Sequence, residues 1–236
     1  MAQLVSSKNL LMSSRPLAVG AISDASALEF FTSLDSAARA ALCDVAELRL
    51  DLIQLPAAEV RALLAGNELP LLLTARHPAE GGQGPEDPAG RAALIEPLLD
   101  LATLIDLELR SAMQMQGTIA KARAAGVPVI GSFHDFQATP TDDVLLGAVN
   151  FGQQAGLDAV KLATYLNTQE DLIRLMKLAG GTHRLRLSVM GMGPWGRVSR
   201  LVLAKSGSLL NYGFIGTSNA PGQWPVARLK ELLSEL

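Results

Sequence analysis

Short apolar runs alternate along this chain with segments in which apolar and polar residues recur at helical spacing. The runs predict eight β-strands, which cover residues 17–22, 43–52, 69–75, 101–109, 127–133, 158–163, 184–190 and 209–215. The segments between them predict helices over residues 57–65, 89–99, 112–125, 142–155, 169–179, 197–204 and 225–233. A further helix, capped by Asp24 or Ser26, is predicted to reach residue 41.

This alternation, in a chain of 236 residues, predicts an α/β protein built as a single (β/α)₈ TIM barrel. A doubly wound open sheet is the alternative, although it normally uses fewer strands over this length. No linker or composition break divides the chain, so we expect one domain over residues 1–236. Residues 1–16 are polar and are expected to form an arm or a cover for the barrel.

The cysteine content, hydropathy and charge of the chain exclude several classes of function. A single cysteine, Cys43, excludes an internal disulfide and a Cys-cluster zinc site, and it is consistent with a cytoplasmic location. No signal peptide is evident, and no apolar run approaches the roughly 20 residues that a membrane span needs.

From Leu172 to Lys230 there are nine Lys or Arg and no Asp or Glu, which favours an anionic ligand. These basic residues are scattered and lack interleaved aromatics, so nucleic acid is not an expected partner.

Lys161 is the most informative residue, because it lies in an apolar run typical of a strand buried on both faces. A buried ammonium must be paired with a carboxylate or must lose its proton. The sequence around Lys161 therefore allows two interpretations: a structural ion pair, or an amine with a depressed pKa that attacks a carbonyl as a Schiff-base nucleophile.

Other charged residues lie where the predicted strands end, which is where a barrel carries its catalytic groups. His134 follows five largely apolar residues and suits a general acid/base. The strand ends carry Glu47, Arg49, Arg76 with Glu80 beyond it, Asp106, Glu108, His134, Lys161 and Met190. A structural lattice of ion pairs inside the barrel is the alternative, but clustering at the ends favours a functional site. No His, Cys or carboxylate spacing resembles a metal-ligand set.

The segment Gly191-Met192-Gly193-Pro194-Trp195-Gly196 matches the dinucleotide fingerprint G-x-G-x-x-G. The acidic residue expected about 20 positions further on to bind a ribose is missing from this region. We therefore expect these glycines to let the backbone approach a ligand, with Ser199 and Arg200 one helical turn later.

Taken together and in order, several motifs resemble the type I 3-dehydroquinate dehydratase family from about Glu47 to Gln223. They are Glu47-Leu48-Arg49-Leu50-Asp51, Thr74-Ala75-Arg76 with Glu80-Gly81-Gly82, Ile105-Asp106-Leu107-Glu108, Ser132-Phe133-His134-Asp135-Phe136, Val160-Lys161-Leu162-Ala163, Gly196-Arg197-Val198-Ser199-Arg200-Leu201, Tyr212-Gly213 and Ala220-Pro221-Gly222-Gln223. The resemblance implies a (β/α)₈ barrel that is commonly a homodimer. It also implies a hydro-lyase that converts 3-dehydroquinate to 3-dehydroshikimate without a metal or organic cofactor. We expect a role in the shikimate pathway of aromatic amino acid biosynthesis, and quinate breakdown is the alternative because it uses the same reaction.

The resemblance assigns a role to each matching position. Lys161 corresponds to the Schiff-base lysine, His134 to the general acid/base and Glu80 to the glutamate that orients it. The positions implied to bind substrate are Glu47, Arg49, Arg76, Arg200, Asn219 and Gln223, with Arg200 on the carboxylate and Gln223 on a lid loop over residues 217–223.

Asn219 stands where many family members have Ser, so we expect altered lid contacts and retained chemistry, with Ser218 as a possible substitute. Two rival functions stay open on the sequence alone. One is another Schiff-base barrel, such as an aldolase with a phosphate cradle at residues 191–196. The other is a non-catalytic barrel for a small anion, with Lys161 paired to Glu108 or Glu47.

Overall fold

In a computed structural model, which describes residues 10–218 and 222–236, eight strands form one parallel sheet. Parallel neighbours need a crossover connection, and here helices supply it and cover the outside of the sheet. The strands are β1 (Leu17–Ile22), β2 (Val45–Arg49), β3 (Leu71–Thr74), β4 (Leu104–Glu108), β5 (Val129–Asp135), β6 (Ala159–Tyr165), β7 (Arg186–Met192) and β8 (Leu210–Ile215).

From Ala25 onward, ten α-helices connect or follow these strands in the described residues. They are α1 (Ala25–Ser33), α2 (Ser36–Leu42), α3 (Leu50–Ile53), α4 (Ala57–Leu63), α5 (Pro88–Ile95), α6 (Gln116–Ala124), α7 (Asp142–Gln154), α8 (Gln169–Ala179), α9 (Gly196–Ser206) and α10 (Val226–Ser234). Short 3₁₀ turns cover Pro78–Glu80, Glu96–Leu101, Leu109–Ser111 and Gly193–Trp195.

The sheet curls into a nearly closed barrel. Its strand order is β7-β6-β5-β4-β3-β2-β1-β8, so β7 and β8 meet at the closure. There the backbone N–H of Leu209 donates to the carbonyl of Leu187, at 2.9 Å, and Ser188 Oγ accepts from the N–H of Leu210. The predicted (β/α)₈ TIM barrel is confirmed, and the open doubly wound sheet is wrong.

Register brings the polar residues of neighbouring strands to the same height in the barrel. Lys161 on β6 pairs with Ser132 on β5 and with Ser188 on β7, and Ser132 pairs in turn with Glu108 on β4. Because side chains alternate between the two faces of a strand, residues two apart on each strand share the barrel interior. The chemistry-bearing side chains are therefore stacked inside the barrel.

Two apolar clusters stabilise this arrangement. The larger one joins the outer faces of the strands to the helices through residues such as Leu28, Phe31 and Ile105. The smaller one lies within the barrel and includes Leu10 and Leu11 together with β-strand residues. The described part of the predicted N-terminal cover, from Leu10 onward, thus packs against the interior of the barrel, whereas residues 1–9 lie outside the described residues.

The structure changes several predicted boundaries. The single helix expected to reach residue 41 is two helices, because Leu34 and Asp35 adopt extended backbone and Asp35 caps α2 through the N–H of Ala38. Strand β5 continues through Asp135, so His134 lies within the strand and not after it. Apolar periodicity identifies the buried face of an element but carries little information about its last residue.

The glycines of residues 191–196 make room for protein atoms, which differs from the ligand approach expected from sequence. A Cβ on Gly196 would lie 2.9 Å from Gly222 Cα, and one on Gly193 would lie 2.5 Å from the ring of Tyr165. Ser199 Oγ accepts the N–H of Gly191 at 3.2 Å. This turn is therefore where the loop after β8 packs against the start of α9.

We expect Gly196→Ala to lower the free energy of unfolding by about 1–3 kcal/mol, because its Cβ meets backbone that cannot move aside locally. Gly117→Ala is the matched control, since it lies in α6 and a Cβ there meets nothing within 4 Å. That control should gain roughly 0.5–1 kcal/mol. Urea unfolding measures both changes, and equal stability of the two variants would contradict the close packing described here.

Candidate active site

The side chain of Lys161 lies inside the barrel and is only 6% exposed. Its Nζ is 3.2 Å from Asp106 Oδ2 and 3.8 Å from Glu47 Oε1. The ring of Tyr212 lies on another side, with its centroid 4.0 Å from Nζ. The rival ion pair with Glu108 is absent among the described residues, because Glu108 is bound to Arg76 instead.

A buried network of alternating charges surrounds the lysine. Arg76 Nη2 forms an ion pair with Asp106 Oδ2 at 3.0 Å. Arg76 Nη1 donates to Glu108 Oε1 at 2.9 Å and to Ser132 Oγ at 2.5 Å. Ser132 donates onward to Asp106 Oδ1 at 2.6 Å. Since charges removed from water need partners, these contacts allow the group to remain buried and ordered.

Burial is the largest influence on Lys161 and lowers its pKa below the usual value. Arg76 acts in the same direction, whereas Asp106 and Glu47 oppose it. Burial also opposes ionisation of Asp106, but Arg76 and Lys161 overcome this and hold the pKa of Asp106 well below its usual range. The lysine is thus easier to deprotonate than a surface lysine, and its carboxylate neighbour stays charged.

His134 is held by Glu80. One carboxylate oxygen of Glu80, Oε2, accepts the backbone N–H of His134 at 2.9 Å and lies 2.9 Å from its Nδ1. When Glu80 is ionised this oxygen is an acceptor, so we assign the ring proton to Nδ1. Nε2 is then left as the basic atom, which is the tautomer that a proton acceptor requires.

Electrostatics keep the imidazole neutral. Burial lowers the pKa of His134 well below 6.5, and the positive charges of Arg76 and Lys161 lower it further. Burial raises the pKa of Glu80 to about 7, with Arg76 opposing the rise. These opposite shifts in neighbouring acid and base groups are typical of active sites.

The 3₁₀ turn Pro78–Glu80 brings Glu80 to His134. Gly81 follows with φ 83°, a left-handed conformation that favours glycine, and a Cβ there would meet the ring of Phe136 at 2.8 Å. A Cβ on Gly82 would lie 1.9 Å from the carbonyl oxygen of Arg76. The Glu-Gly-Gly sequence therefore permits a tight reversal that directs Glu80 toward β5.

Arg200 is a buried cation, 2% exposed, on the inner side of α9. Its Nε and Nη1 have no hydrogen-bond partner among the described residues, and burial lowers its pKa to about 10. The hydroxyl of Tyr212 is likewise buried without a partner in that part of the chain. An uncompensated buried guanidinium is costly, and a carboxylate ligand would neutralise it.

The segment after β8 covers this side of the site. Gln223 is buried and accepts a hydrogen bond from Ser218 Oγ at 3.2 Å through Oε1. Trp224 Nε1 donates to the carbonyl of Arg197 at 3.0 Å, which ties the segment to α9. The predicted substrate-binding residue Asn219 lies outside the described residues.

Eight of the nine site residues predicted from sequence line one pocket, and it encloses about 530 Å³ of space, its open mouth included. They are Glu47, Arg49, Arg76, Glu80, His134, Lys161, Arg200 and Gln223. The same pocket includes residues to which sequence reasoning assigned no role: Gly81, Phe136, Ala163, Met190, Met192 and Tyr212. The sequence places Tyr212 and Met190 on strands, but only the closed barrel shows that they share a pocket with Lys161.

The described residues contain no group of three His, Cys, Asp or Glu side chains suited to holding a metal ion. Within the same part of the chain, none of the helices is both long and apolar enough to span a bilayer.

We expect the His134 ring to stay neutral below pH 6.5, where a histidine in the unfolded chain takes up a proton. Because the unfolded state then binds more protons, His134 lowers stability as pH falls from 6.5 towards its folded pKa. Imidazole ¹⁵N shifts of the folded protein measure the titration directly, with the urea-unfolded protein as control. A folded-state pKa of 6.5 or above would contradict the arrangement.

Comparison with known proteins agrees with this geometry. The sequence is 28% identical over 225 residues to 3-dehydroquinate dehydratase of Methanococcoides burtonii, spanning 93% of this chain and 94% of the relative. It is 34% identical over 188 residues to that of Klebsiella pneumoniae, spanning 76% of this chain and 73% of the relative.

The fold is also similar to a crystal structure of 3-dehydroquinate dehydratase from Geobacillus kaustophilus, with a TM-score of 0.82 and 25% identity. That match covers 95% of this chain and 92% of the other. The sequence model of the Type I 3-dehydroquinase family matches residues 28–236. This chain therefore belongs to the type I 3-dehydroquinase family.

Proposed function

We propose that this protein is a hydro-lyase that converts 3-dehydroquinate to 3-dehydroshikimate through a Schiff base on Lys161. One observation carries the proposal: a buried lysine with a lowered pKa shares a pocket with a neutral histidine oriented by Glu80. Lysine supplies an electron sink and histidine a proton carrier, which are the two functions that this elimination needs.

The reaction begins at Lys161. Its neutral amine adds to the ketone carbon. The ketone oxygen then takes up one proton from the amine and one from solvent and leaves as water, so a protonated imine remains. The positively charged imine nitrogen is Lys161 Nζ itself. In the structure this atom lies near Asp106, Glu47 and the face of Tyr212. These groups stabilise the iminium, because each interacts more favourably with positive charge.

His134 carries the proton. Nε2 removes a proton from the carbon next to the imine, which leaves an enamine. The resulting imidazolium is hydrogen-bonded through Nδ1 to ionised Glu80. The enamine electrons expel the β-hydroxyl, and the imidazolium returns its proton so that water leaves. Hydrolysis of the product imine restores Lys161 and consumes the water released when the first imine formed.

Arg200 is proposed to bind the substrate carboxylate, because it is a buried cation with two unpartnered nitrogens in the described structure. Glu47, Arg49 and Arg76 line the same pocket and are proposed to contact hydroxyl groups of the substrate ring. Gln223 and Asn219 would close the mouth and exclude water from the imine. No cofactor is required by this chemistry.

The family resemblance also supports a homodimer, a location in the cytoplasm and a role in the shikimate pathway, and we propose all three. We further infer that residues 1–236 form one domain, since the buried apolar cluster outside the sheet extends from α1 to α10 without interruption by a linker.

Borohydride reduction in the presence of 3-dehydroquinate should attach the substrate irreversibly to Lys161 and abolish turnover, measured by absorbance of the conjugated product. Mass spectrometry of proteolytic peptides should locate the adduct. Lys161→Arg keeps a cation but cannot form an imine, and it serves as the control. Unmodified peptide from a wild-type protein that is turning over would rule out the Schiff base.

His134→Ala should still form the trapped adduct, because imine formation starts at Lys161, while kcat falls by about 10²–10⁴-fold. Trapping and turnover are measured on the same preparation. Turnover near the wild-type rate would remove His134 from the mechanism, whatever the trapping experiment gives.

A further inference from the structure

Asp51 lies just beyond β2, in the first turn of α3, and its side chain is fully buried. Two different parts of the pocket are bound to it. Arg49 Nε donates to Oδ1 at 2.9 Å and Arg49 Nη2 donates to Oδ2 at 2.8 Å. The backbone N–H groups of Arg76 and Gln83 donate to Oδ1 and Oδ2, each at 3.2 Å.

The bond to Arg49 fixes a long and mobile side chain. Paired N–H donors on a guanidinium match the two oxygens of a carboxylate, so the contact sets the plane of the group as well as its position. Arg49 lines the pocket and is 8% exposed. Without Asp51, the guanidinium would have to be ordered by the substrate itself, at an entropic cost to binding.

The two backbone bonds hold the segment that carries Glu80. Arg76 and Gln83 lie at either end of the turn around Glu80, and the N–H of Gly82 donates to the carbonyl of His77 at 3.1 Å within that turn. Asp51 therefore holds both ends of the turn at one point. Glu80 in turn bonds to both nitrogens of His134 that face it, the backbone N and Nδ1.

We propose that Asp51 is a positioning residue that couples the substrate-binding Arg49 to the Glu80–His134 pair. It touches neither substrate nor reacting atoms; it acts through these two groups. The inference rests on the proposed function, since it assigns Arg49 to substrate and His134 to proton transfer. A carboxylate is needed here because all four contacts are N–H donors, which an amide in the same place could satisfy only with its single oxygen.

Asp51→Asn tests the proposal with little change in size. We expect KM to rise because Arg49 loses its paired contact, and kcat to fall because Glu80 is less well held, with kcat/KM lowered by about 10- to 100-fold. The pKa of His134 should move upward, toward the 6.5 of an unperturbed histidine, as the loosened turn admits water. The proposal would be overturned if Asp51→Asn had the same KM, the same kcat and the same His134 pKa as the wild-type protein.

Asp44→Asn is a matched control at the opposite end of β2. Asp44 also binds an arginine through two nitrogens, Arg15 at 2.9 and 3.2 Å, and it accepts the backbone N–H of Ala18 at 2.8 Å. It precedes β2 and is absent from the pocket lining. This variant should lose stability without changing KM or the His134 titration. Equal kinetic effects from Asp44→Asn and Asp51→Asn would reduce Asp51 to a purely structural role.

A double-mutant cycle separates positioning from general damage. In an Arg49→Ala background, Asp51→Asn should raise KM much less than it does in the wild-type protein, because the group it acts through is gone. Its effect on the His134 titration should persist, since that effect passes through the Arg76 and Gln83 contacts. Strictly additive effects on KM would overturn the link to Arg49.

Ligand-free measurements separate failure of this inference from failure of the proposed function. If wild-type protein does not convert 3-dehydroquinate, the function is wrong. Hydrogen exchange is then measured by NMR at Arg49 Nε–H and at the backbone amide of Gln83. The two exchange rates decide whether Asp51 holds both groups. Both should be protected in wild-type protein, which also keeps the test valid if Asp51→Asn does not fold. Rapid exchange of the two in wild-type protein would overturn the inference.

Discussion

The burial of one amine inside the barrel is the constraint on which the rest of this structure depends. Lys161 is removed from water, so its charge must be balanced or its proton lost, and the surrounding groups do part of each. Asp106 and Glu47 stabilise the cation, while burial and Arg76 favour the free amine. Such a balance suits both the amine and the ammonium form of Lys161, and the iminium proposed above would meet the same two carboxylates.

The two interpretations of the buried charges, an ion-pair lattice or a catalytic site, are compatible in this protein. Arg76 is bound to Asp106, Glu108 and Ser132, so the buried charges form the network of ion pairs that the structural interpretation expected. The lattice is also what makes the site possible, because Arg76 depresses the pKa of both Lys161 and His134. Fixed buried charges do not need to reorganise when charge develops on a substrate.

Support for the site extends beyond the residues that line the pocket. The tight turn at Gly81 and Gly82 delivers Glu80 to His134, and the approach of Gly222 to Gly196 seats the loop after β8 on α9. At Gly82 and Gly196 the close contacts are with backbone atoms, and at Gly81 the contact is with the ring of Phe136, so these positions tolerate almost no side-chain volume. The positions of the proposed reacting groups are thus set in part by the packing of residues that have no proposed chemical role.

The sequence by itself determined the barrel, because the alternation of strand and helix patterns is local and repeats eight times. It also determined most of the pocket, since charged residues at the ends of parallel strands converge wherever such strands close. Only the tertiary structure decided which carboxylate pairs with Lys161, that Tyr212 lies against it, and that Asp51 joins Arg49 to the Glu80 turn. Those choices depend on strand register and backbone reversals, which arise from contacts between residues far apart in the chain and leave no local periodic pattern.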